Sequence, residues 1–119
     1  MPKHRRLELV HFCLQYPDWK KELLAINYAP VLHFQEVKGT SHPDETAKIA
    51  LRATYFKERI DMVERAAKMA DDSISDYILK AATTGISYQA LCASGIPCSK
   101  DYFYDRYRRF YYVLSDLRK

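Results

Sequence analysis

Ser99, Lys100, Tyr102, Tyr104, Arg108 and Arg109 lie within one short stretch near the carboxy terminus, and their chemistry is that of phosphate and base recognition. A guanidinium presents a fork of donors that matches a phosphate or the edge of guanine, and tyrosine hydroxyls commonly hold phosphate oxygens. Five of the ten tyrosines fall between Tyr102 and Tyr112, interleaved with the arginines. That mixture suits a polyanion with stacked bases. It equally suits a protein hot spot, where Tyr and Arg are enriched.

No comparable group supports catalysis. Gly39, Gly85 and Gly95 stand alone, so no glycine-rich phosphate loop exists. Neither a His-Glu-x-x-His nor a Gly-x-Ser-x-Gly pattern is present. His11 and Cys13 stand two apart, and His33 and His42 fall in a stretch without period. These read as structural or surface residues, so the expectation is a non-enzymatic protein with no metal and no cofactor. Cys13, Cys92 and Cys98 are odd in number and lack zinc-ribbon spacing, which points to a reducing, cytoplasmic setting. The amino terminus carries charge without an apolar run behind it, so it reads as no signal peptide, and no membrane partner is expected.

The 119 residues carry a net charge of +4. Bases outnumber acids five to three in residues 1–22 and six to three in residues 96–119, while residues 23–95 hold eight against nine. The excess sits at the two ends, and clustering of this kind favours a polyanionic partner over a diffuse surplus. Arg5 and Arg6 are therefore candidates for a basic arm. With few glycines and prolines, the composition favours helices.

The elements that must position the carboxy-terminal residues follow from capping and periodicity. Ser87 is placed to cap a short helix from Tyr88 to Ala93, with Ala90 and Leu91 inward. Ser94-Gly95 makes the turn, where glycine supplies a positive φ. Ile96 plugs the core and Ser99 caps the last helix, with Asp101 in its first turn. Phe103, Tyr107, Phe110, Leu114 and Leu117 recur at spacings of four and three, an apolar stripe. With that stripe inward, Asp101, Asp105, Arg108, Arg109 and Tyr112 point outward, Tyr102 and Tyr104 flank, and Arg106 nears the buried edge. Helix, turn and helix then form a helix-turn-helix-like unit over 71–119. Asp105 precedes Arg108 and Arg109 by three and four residues, which also allows plain surface ion pairs. Asp101 occupies the position, six after the turn glycine, where bacterial helix-turn-helix units usually place an aliphatic residue, so the turn is about two residues longer than usual.

Upstream, residues 5–15 predict a short helix broken at Tyr16-Pro17-Asp18, followed by a second from Trp19 to Ile26. Pro30, Gly39 and Pro43 predict a loop over 27–43, completing an amino-terminal segment of residues 1–43. A long central helix over 44–70 opens on a capping box at Ser41-His42-Pro43-Asp44. Within it Ile49, Ala53, Phe56, Ile60, Val63, Ala67 and Ala70 form a heptad seam. Either the chain's own helices fill this seam or a second copy does, as a homodimer. Ser73 and Asp76 suggest another capping box, and Gly85 is placed to end the helix that follows. The expected fold is all-α: short amino-terminal helices packed on a long central helix, then a carboxy-terminal helix-turn-helix, together forming one compact domain.

The run ISYQALCASGIPCSKDYFYDRYRRFYYVLSDLRK, with YPDWKKEL and ERIDMVERAAK, resembles small proteins of Firmicute phages and integrative elements, for which no activity can be carried over. In plan the chain is similar to the ArpU and RinA phage transcriptional regulators. The resemblance implies a mobile-element setting and duplex DNA as partner. The functional expectation is a DNA-binding transcriptional regulator. The alternatives are a helical protein-interaction module and a small-terminase-like packaging adaptor.

Overall fold

Helix α1, Lys3–Leu14, runs directly into α2, Tyr16–Glu36, with only Gln15 between them. The structure is a computed structural model that describes the backbone of residues 1–36 and 43–119 and the side chains of 1–27 and 44–119. Three further helices follow the long α3, Pro43–Ala70: α4, Ser75–Thr84, α5, Tyr88–Ala93, and α6, Lys100–Leu117. A 3₁₀ turn, Asp72–Ile74, joins α3 to α4. The described residues contain no strand, so the chain is all-helical.

The expected break at Tyr16-Pro17 falls one residue earlier. Gln15 remains near helical geometry, and its carbonyl accepts the Trp19 N–H at 3.0 Å. Pro17 sits in the first turn of α2, where its missing N–H would have had no helical partner. The bias that proline imposes on the residue before it is outweighed by packing: Tyr16 is buried, and its hydroxyl donates to Glu64 of α3 at 3.1 Å.

The expected loop over 27–43 is overturned as far as Glu36, because α2 continues through Pro30. Proline in a helix interior costs about 3 kcal/mol, a propensity that tertiary pairing can override. Helices α2 and α3 do pair antiparallel, Arg52 reaching Glu22 at 3.4 Å and Lys20 reaching Glu64 at 4.0 Å. Ser41 of the expected capping box lies outside the described residues.

One cluster of buried side chains receives members from all six helices. Leu9, Phe12 and Cys13 enter from α1, and Phe12 meets Trp19 of α2 edge to face at 4.8 Å. Ile78 and Leu91 are fully buried, and Phe103, Phe110 and Leu114 of α6 form the deepest part of the stripe. Full burial of one such side chain is worth about 1.5–3 kcal/mol. Burial at Cys13 pushes its thiol pKa up to about 12, so it stays protonated and inert.

The α3 seam divides into two halves. From Ile60 through Val63, Ala67 and Ala70 it is buried within the chain, where α3 packs against α4 and α6. Toward the amino end, Ala53 and Phe56 are half-buried and Ile49 is exposed. The same chain thus occupies the half that carries the deepest positions.

Local signals at the other helix ends resolve more simply. Gly85 closes α4 in the left-handed conformation, φ +74°, its N–H donating to Ala81 at 2.9 Å. The Ser73–Asp76 box does not form. Asp71 takes that role, accepting from the Ser73 N–H at 3.0 Å, because the chain makes a 3₁₀ turn before α4 begins.

Candidate nucleic-acid interface

The segment from Ser87 to Leu117 is built from three local devices. Ser87 Oγ accepts the Ala90 N–H at 3.3 Å and starts α5, with Leu91 fully buried. Ala90, expected inward, is exposed, since six residues of helix present too narrow a face to bury both. At the other end, the Gly95 N–H donates to Cys92 at 3.0 Å and the Ile96 N–H to Leu91 at 3.2 Å. That pair of bonds is a Schellman motif, and it requires the positive φ of Gly95, +87°. Tyr88 locks the turn by donating to the Cys98 carbonyl at 2.6 Å. Ser99 Oγ then accepts the Tyr102 N–H at 3.3 Å and opens α6.

Gly95→Ala is expected to cost about 1 kcal/mol, since a Cβ there meets open space and the only penalty is the left-handed backbone. Urea unfolding of the variant measures it.

Along α6 the expected stripe is buried at Phe103, Phe110 and Leu114 and half-buried at Tyr107 and Leu117. The sequence reading missed Tyr111, which is also buried. It extends the aromatic row toward α1: the Tyr107 and Tyr111 rings stack at 5.2 Å, and their hydroxyls lie 3.1 Å apart. Burial raises both phenol pKa values, so both remain neutral.

The candidate residues separate into different environments. Lys100, Arg108 and Arg109 are exposed on α6. Arg108 meets Asp105 only at 3.9 Å, and among the described residues Arg109 has no carboxylate within 4 Å. Tyr104 is partly exposed, its ring nearly parallel to Tyr107 at 6.4 Å. Asp101 and Asp105 are exposed with the arginines, as the helical wheel predicted.

Tyr102 has a different task. Its hydroxyl donates to Asp71 Oδ2, and the Arg106 guanidinium lies over its ring, 4.9 Å from the centroid. Arg106 Nε also approaches Asp71 Oδ2 at 3.3 Å, as an ion pair without the alignment of a hydrogen bond. These contacts clamp the first turns of α6 to the α3–α4 junction.

Of the expected basic arm, only Arg6 is exposed. Arg5 Nη2 donates to the Ser115 carbonyl at 3.0 Å and Nε to Ser115 Oγ at 3.1 Å, which caps the carboxy end of α6. Arg118 returns the tie by pairing with Glu8 of α1. The arm is thus corrected to a docked helix, since cations at a helix carboxy end satisfy its unpaired carbonyls. Arg5→Ala is expected to lower stability by about 1 kcal/mol, read as a shift in thermal midpoint.

Docking α1 against α6 creates a cleft of about 330 Å³. Arg6, Val10 and Leu14 line one side at helical spacing, and Tyr104, Tyr107, Arg108 and Tyr111 line the other. The floor is the buried Ala81 and Ala82 of α4, whose small side chains leave the space unfilled, and the exposed Gly85 that ends α4 lies at its edge. The i, i+4, i+8 spacing of Arg6, Val10 and Leu14 was a signal available in the sequence. Its partner across the cleft was not.

Among the described residues no three His, Cys, Asp or Glu side chains gather as a metal site would need, and no helix is long and apolar enough to cross a membrane. No family model matches this chain, and no curated protein and no solved structure matches it either.

Proposed function

We propose that this chain binds duplex DNA through α6, with α5, the Gly95 turn and α6 acting as a helix-turn-helix. The observation that carries the reading is the set of exposed cations on one capped helix: Lys100, Arg108 and Arg109, none held in a tight ion pair among the described residues. Lys100 is exposed in the first turn of α6, and Tyr104 and Arg108 lie on the flank toward α1, with Arg6 across the cleft. This flank follows a phosphate backbone, while Arg109 serves the other flank. Asp101 and Asp105 between them accept from cytosine amino groups in a major groove and disfavour other bases. The Ser99-capped amino terminus of α6 adds backbone donors for a phosphate. Tyr102 contributes by fixing the angle of α6, its hydroxyl being engaged by Asp71. Transcription control in a phage or mobile element is the setting implied by the sequence resemblance.

Fluorescence anisotropy of a labelled duplex pool at roughly 50 and 200 mM salt tests this reading. Affinity should fall steeply with salt, because each phosphate contact releases counterions. A folded protein that binds nothing at the lower salt would redirect the reading to a protein-interaction module. A ring-sized species in light scattering, together with DNA binding, would point instead to a small-terminase-like packaging adaptor.

A further inference from the structure

We propose that the cleft between α1, α4 and α6 is a binding site for a small planar anion, a ligand with a flat aromatic body and one phosphate or carboxylate. The inference stands on the cleft itself and does not rest on DNA binding. Its volume of about 330 Å³ lies at the lower end of the range for small-molecule sites, which limits the occupant to about the size of a mononucleotide.

The lining selects the chemistry. Tyr104 is the exposed end of an aromatic row, its ring within 6° of parallel to Tyr107, which stacks in turn onto the buried Tyr111. Flat rings of this kind favour a flat partner, stacked with an offset or met edge to face. Val10 and Leu14 supply apolar surface opposite. Leu14 is 43% exposed, a large side chain that the chain itself leaves uncovered.

Arg6 on α1 and Arg108 on α6 line the cleft from opposite sides, and both residues are solvent-exposed. A planar guanidinium recognises phosphate and carboxylate through paired donors, so two of them fix where the anionic group sits. Asp105 opposes this by approaching Arg108, but only at 3.9 Å between two side chains each over 60% exposed. Such a pair is weak enough for a ligand to displace.

The orientation follows from α4. Its carboxy end reaches the α4 side of the cleft at Gly85, where the helix dipole is negative and repels an anion. The aromatic body therefore lies toward Ala81 and Ala82, and the charged group stays between the arginines. The Tyr107 and Tyr111 hydroxyls bond to each other, which leaves the α6 wall with little demand for a polar ligand body.

The test titrates the full chain, labelled with ¹⁵N, with four probes. Adenosine 5′-monophosphate and indole-3-acetate each carry a ring and an anion. Adenosine carries the ring alone, and inorganic phosphate the anion alone. Either ring-bearing anion should shift amides of α1 and α6 around the cleft and bind at least tenfold more tightly than adenosine or phosphate. Which of the two binds more tightly distinguishes a phosphate-bearing from a carboxylate-bearing ligand. Arg6→Ala, Arg108→Ala and Tyr104→Ala should each weaken binding about tenfold, while Lys57→Ala on α3 should leave it unchanged. All four positions are exposed, and circular dichroism checks that each variant folds. The proposal is overturned if neither ring-bearing anion shifts the cleft amides, or if phosphate alone binds as well as they do. It is also overturned if shifts persist undiminished without Arg6 and Arg108. DNA binding that survives any of these outcomes would leave the α6 interface standing by itself.

Discussion

A triple variant, Lys100→Ala with Arg108→Ala and Arg109→Ala, is expected to bind duplex DNA about a hundredfold more weakly than the parent chain, taking ~1 kcal/mol for each phosphate contact removed. The three side chains are exposed and none closes a core contact, so the fold should be unchanged by circular dichroism. Salt dependence supplies the sharper readout. Three phosphate contacts contribute a slope of about −2.7 in log affinity against log salt, and the variant should lose that share. An unaltered slope would remove these residues from the interface even if affinity fell. Tyr102→Phe behaves differently in this scheme: it keeps every cation and loses only the hydroxyl bond to Asp71, so its effect on binding should come through a loosened α6 and leave the slope intact.

Asp71→Ala is expected to destabilise the fold by about 2–4 kcal/mol, measured by urea unfolding at neutral pH. Among the described residues Asp71 is the one carboxylate on which the helix junction and α6 converge. It caps the 3₁₀ turn through the Ser73 N–H, accepts from the Tyr102 hydroxyl and pairs with Arg106, with its side chain only 10% exposed. Loss of a cap costs about 1 kcal/mol, and loss of a hydrogen bond to a charged group about 1.5–3 kcal/mol. Hydrogen bonds from Ser73 and then Tyr102 hold the Asp71 carboxyl below the ordinary aspartate value of 3.8, with the Arg106 charge acting in the same direction. A lowered acid pKa contributes stability above the unfolded value and loses it as pH falls through the folded one. Acid titration should therefore weaken the parent chain below about pH 4 more steeply than Asp71→Asn. Equal acid limbs in the two proteins would show that Asp71 does not act as a charged clamp.

Both predictions depend on residues whose legibility in the sequence differed. The exposed arginines of α6 were readable, because a helical wheel needs only the stripe Phe103, Phe110 and Leu114 to orient it, and Arg108 and Arg109 follow from the period. Tyr102 was placed correctly on the flank, yet its engagement by Asp71, 31 residues away, depends on how α6 crosses the α3–α4 junction. The loop expected over 27–43 failed for a related reason. Pro30 is a local breaker, yet α2 continues through it, and the pairing of α2 with α3 seen at Glu22 and Arg52 is not written in the neighbouring residues.

What the sequence by itself determined is the helical class, the caps at Ser87 and Ser99, the glycine ends at Gly85 and Gly95, and the exposed arginines of α6. Each of these depends on residues within about one helical turn, where spacing alone specifies the hydrogen-bond partner or the face. Only the tertiary structure decided the fates of two adjacent arginines. Arg5 reaches Ser115, 110 residues on, and becomes a cap, while Arg6, one position along the same helix and so turned by about 100°, faces the cleft with Arg108. That difference comes from the docking of α1 along α6 above the small residues of α4, a packing arrangement between distant segments that no local pattern encodes.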